Sequence, residues 1–199
     1  AGYGVWGTLM RLTQMPNLVF FLEEASAKEL LRQLLPRMFP ESDIQFIYKV
    51  YEGKNDLQQN ILRDMREYAR LPNSQFLILH DQDQTECTIL KAKLQGLCSS
   101  WLDKTFIRIA CRELESWYLA QLAAVDVAFG TNGLAEQQEK AKFRAPDSLT
   151  APDAILEDLL KSKRKVYSKI NGSRLLGKYI DPDCSRSKSF YHFIRAIRL

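Results

Sequence analysis

The sequence is poor in the features that let a small protein fold around covalent staples or a metal. It has four cysteines in 199 residues, Cys87, Cys98, Cys111 and Cys184. No two have CxxC spacing, and its two histidines, His80 and His192, are not placed to complete a zinc site. That argues against an extracellular disulfide framework, and scattered single thiols fit a reducing cytoplasm. Long apolar runs are missing as well. The longest, residues 18–22, has five members, whereas a membrane-crossing helix needs about 20. The N-terminal residues lack the basic start, apolar stretch and small-residue cleavage site of a secretory leader. No internal repeat or low-complexity tract occurs. The expectation is a cytoplasmic protein without membrane association.

Hydrophobic residues make up 46% of the chain and charged residues 26%, which at this length is enough for a self-sufficient core. The net charge of +4 hides an asymmetry. Residues 160–199 hold eleven Lys or Arg against only Asp181 and Asp183, so they carry +9 while the remainder carries −5. A basic end on an acidic body suggests a polyanionic partner such as nucleic acid. The run Lys161-Ser162-Lys163-Arg164-Lys165 also reads simply as a solvated helix face.

Residues 1–17 read as an extension, with a natural start at Met15 that would put a strand at the very beginning. The uninterrupted apolar run 18–22 suits a strand buried on both faces. Ser26 is placed to cap the following helix, with Glu29 completing a capping box, and Pro40 to end it. Residues 44–51 read as a second strand, broken by Gly53. Asn55 or Asp56 can cap the next helix. The third strand, 76–79, runs into His80-Asp81-Gln82-Asp83. The fourth, 105–111, leads into a helix reaching about residue 127. Strands alternating with amphipathic helices predict an α/β fold over residues 18–130. Its centre is a parallel sheet of about four strands flanked by helices. Residues 131–199 are expected to form a basic helical or irregular segment packed on it.

Three of these strands end in carboxylates: Glu23 and Glu24, then Asp81 and Asp83, then Glu113 and Glu115. In open parallel sheets the ligand crevice lies beyond the carboxyl ends of the strands, so these side chains should meet on one rim. Two residues apart in an extended chain, Asp81 and Asp83 should point the same way. Clustered carboxylates repel and need protons or a cation, and hard oxygen donors suit Mg²⁺ or Mn²⁺. Each acid taken singly also has a structural reading, as a helix first-turn acid, an Asx turn or a solvated side chain. Lys54 is either a phosphate-neutralising group at the rim or an exposed turn residue. His80 reads as a group hydrogen-bonded to the rim. Trp117, Tyr118, Phe190 and Phe193 read as packing, and Cys87 has no base to make it a nucleophile.

A Glu after the first strand and Asp-x-Asp after a later one resemble the Toprim domain of topoisomerases, primases and overcoming-lysogenization-defect nucleases. The ordered set is closer to a narrower bacterial group, domain-of-unknown-function family 4276. It comprises Phe21-Leu22-Glu23-Glu24-Ala25-Ser26-Ala27, Gly53-Lys54, Asp81-Gln82-Asp83 with Cys87, and Arg108-Ile109-Ala110 running into Glu113-Leu114-Glu115-Ser116-Trp117-Tyr118. Lys142 to Asp147 and Ser185 to Phe190 complete it. The resemblance implies a Toprim-like fold, Mg²⁺-dependent phosphodiester chemistry and an ATPase partner in anti-phage defence, and it leaves a homodimer open. It implies that Glu23 is a general acid/base or metal ligand, that Asp81 and Asp83 bind Mg²⁺ and act in catalysis, and that Glu113 or Glu115 completes the site. The chain departs from the wider Toprim pattern at Ala27, where a second Glu would fall. Lys54, Lys178, Arg186 and Lys188 are the basic groups expected to contact nucleic-acid phosphates. Two other readings stay open. One is a non-catalytic regulatory subunit of an ATPase complex, and the other is a phosphatase or phosphotransferase on a small phosphate ester.

Overall fold

A computed structural model describes residues 16–41 and 43–198, so the start of the extension lies outside the described residues. Four strands, β1 (Asn17–Leu22), β2 (Gln45–Val50), β3 (Ser74–Asp81) and β4 (Thr105–Ala110), form one parallel sheet in the order β2-β1-β3-β4. The connecting helices are α1 (Ala25–Met38), α2 (Lys54–Tyr68) and α3 (Cys87–Leu97). Because side chains alternate along a strand, Leu18, Phe20 and Leu22 enter the core under α1, while Val19 and Phe21 enter the one under α2 and α3. Both faces of β1 are therefore buried, as its unbroken apolar run requires. Right-handed crossovers put α1 on one face and α2 and α3 on the other, because the chain leaves β1 in one direction and β2 in the opposite one. That reversal opens a crevice beyond the ends of β1 and β3.

After β4 come α4 (Glu115–Leu119), α5 (Leu122–Phe129), α6 (Pro152–Ser162), α7 (Lys169–Leu176) and α8 (Lys188–Ile197), with short 3₁₀ turns between α5 and α6. The single helix expected to reach residue 127 is thus two helices. Gln121, with φ −141°, breaks it, and its side chain accepts a hydrogen bond from the Asp181 amide at 2.7 Å. The C-terminal helices share the core of the α1 face: Leu156, Leu160, Leu176, Phe190 and Phe193 pack with Leu30, Leu34 and Trp117. A polar knot fastens α8. Asp147 accepts from the Ser187 hydroxyl at 2.6 Å and the Ser189 amide at 2.9 Å, and the Trp117 indole donates to the Ser189 hydroxyl at 2.8 Å. Three segments of the family-like sequence set thereby meet in one place. The Trp117, Phe190 and Phe193 rings meet in tilted contacts within it, as packing residues.

Helix α7 runs alongside α1, and Gly177 after its end lies so close that a Cβ there would stand 2.6 Å from the Leu30 carbonyl oxygen. Gly177→Ala should therefore cost about 1–3 kcal/mol in urea unfolding, by forcing backbone apart rather than by restricting a torsion. Among the described residues no helix is long and apolar enough to cross a membrane.

Candidate functional site

Each strand end contributes differently to the rim. Glu23 directly follows β1 and is 7% exposed. One of its carboxylate oxygens, Oε2, accepts from the Asp81 amide at 2.9 Å and lies 2.9 Å from His80 Nδ1. The Gln58 side chain donates to His80 Nε2 at 3.0 Å, which leaves Nδ1 to carry the proton, between the Asp81 carbonyl at 2.6 Å and Glu23 at 2.9 Å. His80 is therefore the rim-bonded group expected. Gly53, with φ 97°, donates its amide to the Glu23 carbonyl at 3.0 Å, tying the β2–α2 turn to the end of β1. A side chain there would be strained, hence the glycine.

Helix α1 does not start as the sequence suggests. Glu24 occupies the cap position without a side-chain cap bond, and Ser26 lies inside the helix, donating to Glu24 at 3.4 Å. Glu29 is engaged instead by Arg174 at 2.6 Å. Likewise Gly53, not Asn55 or Asp56, precedes α2, and Asp56 reaches back to the Glu52 amide at 2.9 Å.

The expectation that Asp81 and Asp83 point together is overturned. The strand ends at Asp81, and Asp83 takes a left-handed φ of 52°, its amide donating to the Arg112 carbonyl at 2.9 Å. This turn sends the two acids into different hollows. Asp81 joins Glu23 and Glu24 around an inner hollow of about 10 Å³, whose wall includes Ala27. The position where the wider Toprim pattern has a second Glu therefore faces the acids with a methyl group. Asp83 joins Arg112 and Glu113 in an outer cleft of about 240 Å³, and Lys54 Nζ pairs with its carboxylate at 2.7 Å.

The fourth strand end supplies two acids. Glu115 is 1% exposed and accepts from the Tyr167 hydroxyl at 2.8 Å. Glu113 accepts from the Asp153 amide at 3.3 Å. Charge repulsion is visible in their acidities. Burial, then Glu23, Glu115 and Glu24, hold the Asp81 carboxyl well above its ordinary range, and Lys169 only partly opposes them. Burial, with Asp153 nearby, pushes Glu113 up to about 7. Burial works against the charge of Lys169, but Glu115, Glu24, Glu113 and Asp81 together keep its amine more basic than usual. Lys169 and Tyr167 are rim residues that sequence reasoning did not single out. Their signal was only the basic excess after residue 160.

A carboxyl whose folded acidity is weakened stabilises the fold below its ordinary pKa and withdraws that help as pH rises through the folded value. Glu113 should therefore make the metal-free protein less stable at pH 8 than at pH 5 by about 1 kcal/mol, solvent screening included. Urea unfolding at the two pH values measures this, and Glu113→Gln should remove it.

The basic groups disperse. Arg186 pairs with Glu139 at 2.9 Å. Lys178 is exposed at the far end of α1 from the rim, where Arg37 Nη1 donates to the Gly177 carbonyl at 2.9 Å. Helix α6 ends at Ser162, so the cluster 161–165 straddles a helix end, and Arg164 has a φ of 59°. Lys188 opens α8 beside the edge of β4.

The rim donors are hard oxygens, which suit a divalent cation in kind. Among the described residues no three His, Cys, Asp or Glu side chains stand together as a ligand group, so the rim is an acidic cluster and not a closed cage.

The family model for a domain of unknown function, DUF4276, matches residues 22–198. The chain belongs to the DUF4276 family. That match spans both the sheet and the C-terminal helices. No curated protein matches the chain. Among solved structures it is similar to the C-terminal region of the Burkholderia pseudomallei OLD protein, at 13% identity and a TM-score of 0.53, covering 91% of this chain and 96% of that one. At that identity the likeness speaks for the fold. It agrees with the Toprim-like parallel sheet flanked by helices that the sequence implies.

Proposed function

We propose that this DUF4276 protein is a Mg²⁺- or Mn²⁺-dependent nuclease acting on DNA or RNA phosphodiesters at the acidic rim. The observation that carries the reading is the placement of buried Asp81 with Glu23 and Glu24 around one hollow at neighbouring strand ends, in the field of Glu115, a charge excess that a divalent cation would relieve. Glu23, Glu24 and Asp81 line one hollow without standing as a ligand group, so holding the ion would require them to draw together around it. When bound, it supplies charge stabilisation at the phosphoryl group and activation of water. The chain's own residues do the rest. His80 fixes the orientation of Glu23. Lys54 and Arg112, lining the outer cleft, orient a phosphate there. Glu113, titrating at about 7, is suited to take or give a proton at its carboxylate near neutral pH. Asp83 gives up Lys54 when substrate phosphate arrives. The nucleic-acid substrate, and with it an ATPase partner in antiviral defence, is drawn from the Toprim resemblance of the sequence, with which the OLD-like fold is consistent.

A second reading, a non-catalytic regulatory subunit, is favoured by two observations: Lys169 already offsets the carboxylates, and Ala27 leaves the hollow one acid short. Incubating the full chain with plasmid DNA and with single-stranded RNA, with Mg²⁺ or EDTA, separates the two. Cleavage only with the metal supports the nuclease. Absence of both cleavage and Mn²⁺ binding by calorimetry supports the regulatory subunit.

A further inference from the structure

A hollow larger than either of those at the rim lies at the far edge of the sheet. A cavity of about 610 Å³ wraps the open edge of β4, between α3 on one face of the sheet and α8 on the other. That volume is typical of a small-ligand site. Ile107 and Ile109 give it an apolar floor, and Lys91, Arg108 and Lys188 supply three cations. Asp147 is its only lining carboxylate. Asp147 keeps its charge while accepting from Ser187 and Ser189, so the lining carries three cations against one anion. Among the described residues no carboxylate pairs with Lys91, Arg108 or Lys188. Arg108 is held in place rather than loose. Its Nε donates to the His192 carbonyl at 3.0 Å and its Nη1 to the Ile107 carbonyl at 2.8 Å. Its other terminal nitrogen has no partner among the described residues. A guanidinium fixed by two backbone carbonyls and paired with no acid is preorganised for an anion.

The cavity also adjoins the rim. Cys111 lines it, and the next two residues, Arg112 and Glu113, line the outer cleft with Asp83. We propose that this cavity receives one nucleotide of a nucleic-acid strand whose reacting bond lies at the rim, its phosphate on Arg108, Lys91 and Lys188 and its base or sugar on the isoleucine floor. The proposal rests on the nuclease reading for the identity of the strand. Lys188 thereby joins two cations, Lys91 and Arg108, from other elements.

The test is fluorescence anisotropy of a short single-stranded oligonucleotide with the full chain in EDTA, across a salt series. Lys91→Glu and Lys188→Glu are surface changes. The second places an acid at a helix N-terminus, where the dipole favours it, so both variants should fold. Each should weaken binding about tenfold and lower the slope of log K against log salt by about 1. Arg108→Gln should weaken it at least as much. If the three pocket variants bind the oligonucleotide as the wild type does, the pocket assignment is overturned, whatever the rim does. It is equally overturned if a short poly-glutamate peptide competes at the same concentration as the oligonucleotide, since the site would then be a receptor for acidic protein. If binding depends on the pocket but Mg²⁺ elicits no cleavage, the pocket stands and the nuclease reading falls.

Discussion

Asp81→Asn should sharply reduce Mg²⁺-dependent cleavage and at the same time raise the melting temperature of the metal-free protein. The two effects share one cause. Asp81 lies among Glu23, Glu24 and Glu115, and burial and those charges raise its carboxyl well above the ordinary range. Above the ordinary carboxylate range that shift is a penalty on folding, one that fades as pH falls, so an amide of the same shape removes it. At this size a gain of about 1 kcal/mol raises the midpoint by about 2–4 °C. Activity should fall by about a hundredfold to a thousandfold, the range seen when a group that stabilises transition-state charge is lost. Thermal scans in EDTA, paired with cleavage assays in Mg²⁺, give both numbers. Lost activity with a lowered midpoint would mean that Asp81 is a structural hydrogen-bonding group and not a repelled acid.

Lys169→Met should have the opposite signature. Lys169 is half-buried at the start of α7 and lies in the field of Glu115, Glu24, Glu113 and Asp81. Removing it leaves those carboxylates without their protein counter-ion. Unfolding in EDTA should become easier by about 1 kcal/mol, the loss of a nearby counter-charge on a half-exposed side chain rather than of a close ion pair. Mn²⁺ should restore the loss, because the ion would take over the neutralisation, and the variant should bind Mn²⁺ more tightly than the wild type in calorimetry. A destabilised variant that Mn²⁺ does not rescue would place the lysine's role in packing.

These predictions come from a site only half legible in the sequence. The sheet was readable because the runs 18–22 and 76–79 are apolar without alternation, which only a doubly covered strand tolerates. Glu23 and Asp81 were readable because both sit at the ends of such strands. Their pairing through the Asp81 amide follows from β1 and β3 being neighbours, which strand order alone decides. Asp83 was misread because two-residue alternation holds only while the chain stays extended, and the left-handed turn at 83 ends it. The helix starts were misread where glycine or backbone groups replaced the side-chain caps that Ser26 and Asn55 advertised. Tyr167 and Lys169 carry no local motif. They reach the rim because α7 packs along α1, a contact between distant segments that no spacing rule records.

The sharing of one core has a practical outcome for anyone seeking a smaller version of this fold. Residues 131–198 supply Tyr167 and Lys169 to the acids and Phe190 and Phe193 to the interior. Cutting the chain after the sheet would expose a greasy face and strip the cluster of its counter-charge in a single stroke. The indivisible unit is therefore the whole stretch, and swapping pieces between relatives should succeed only when both halves travel together.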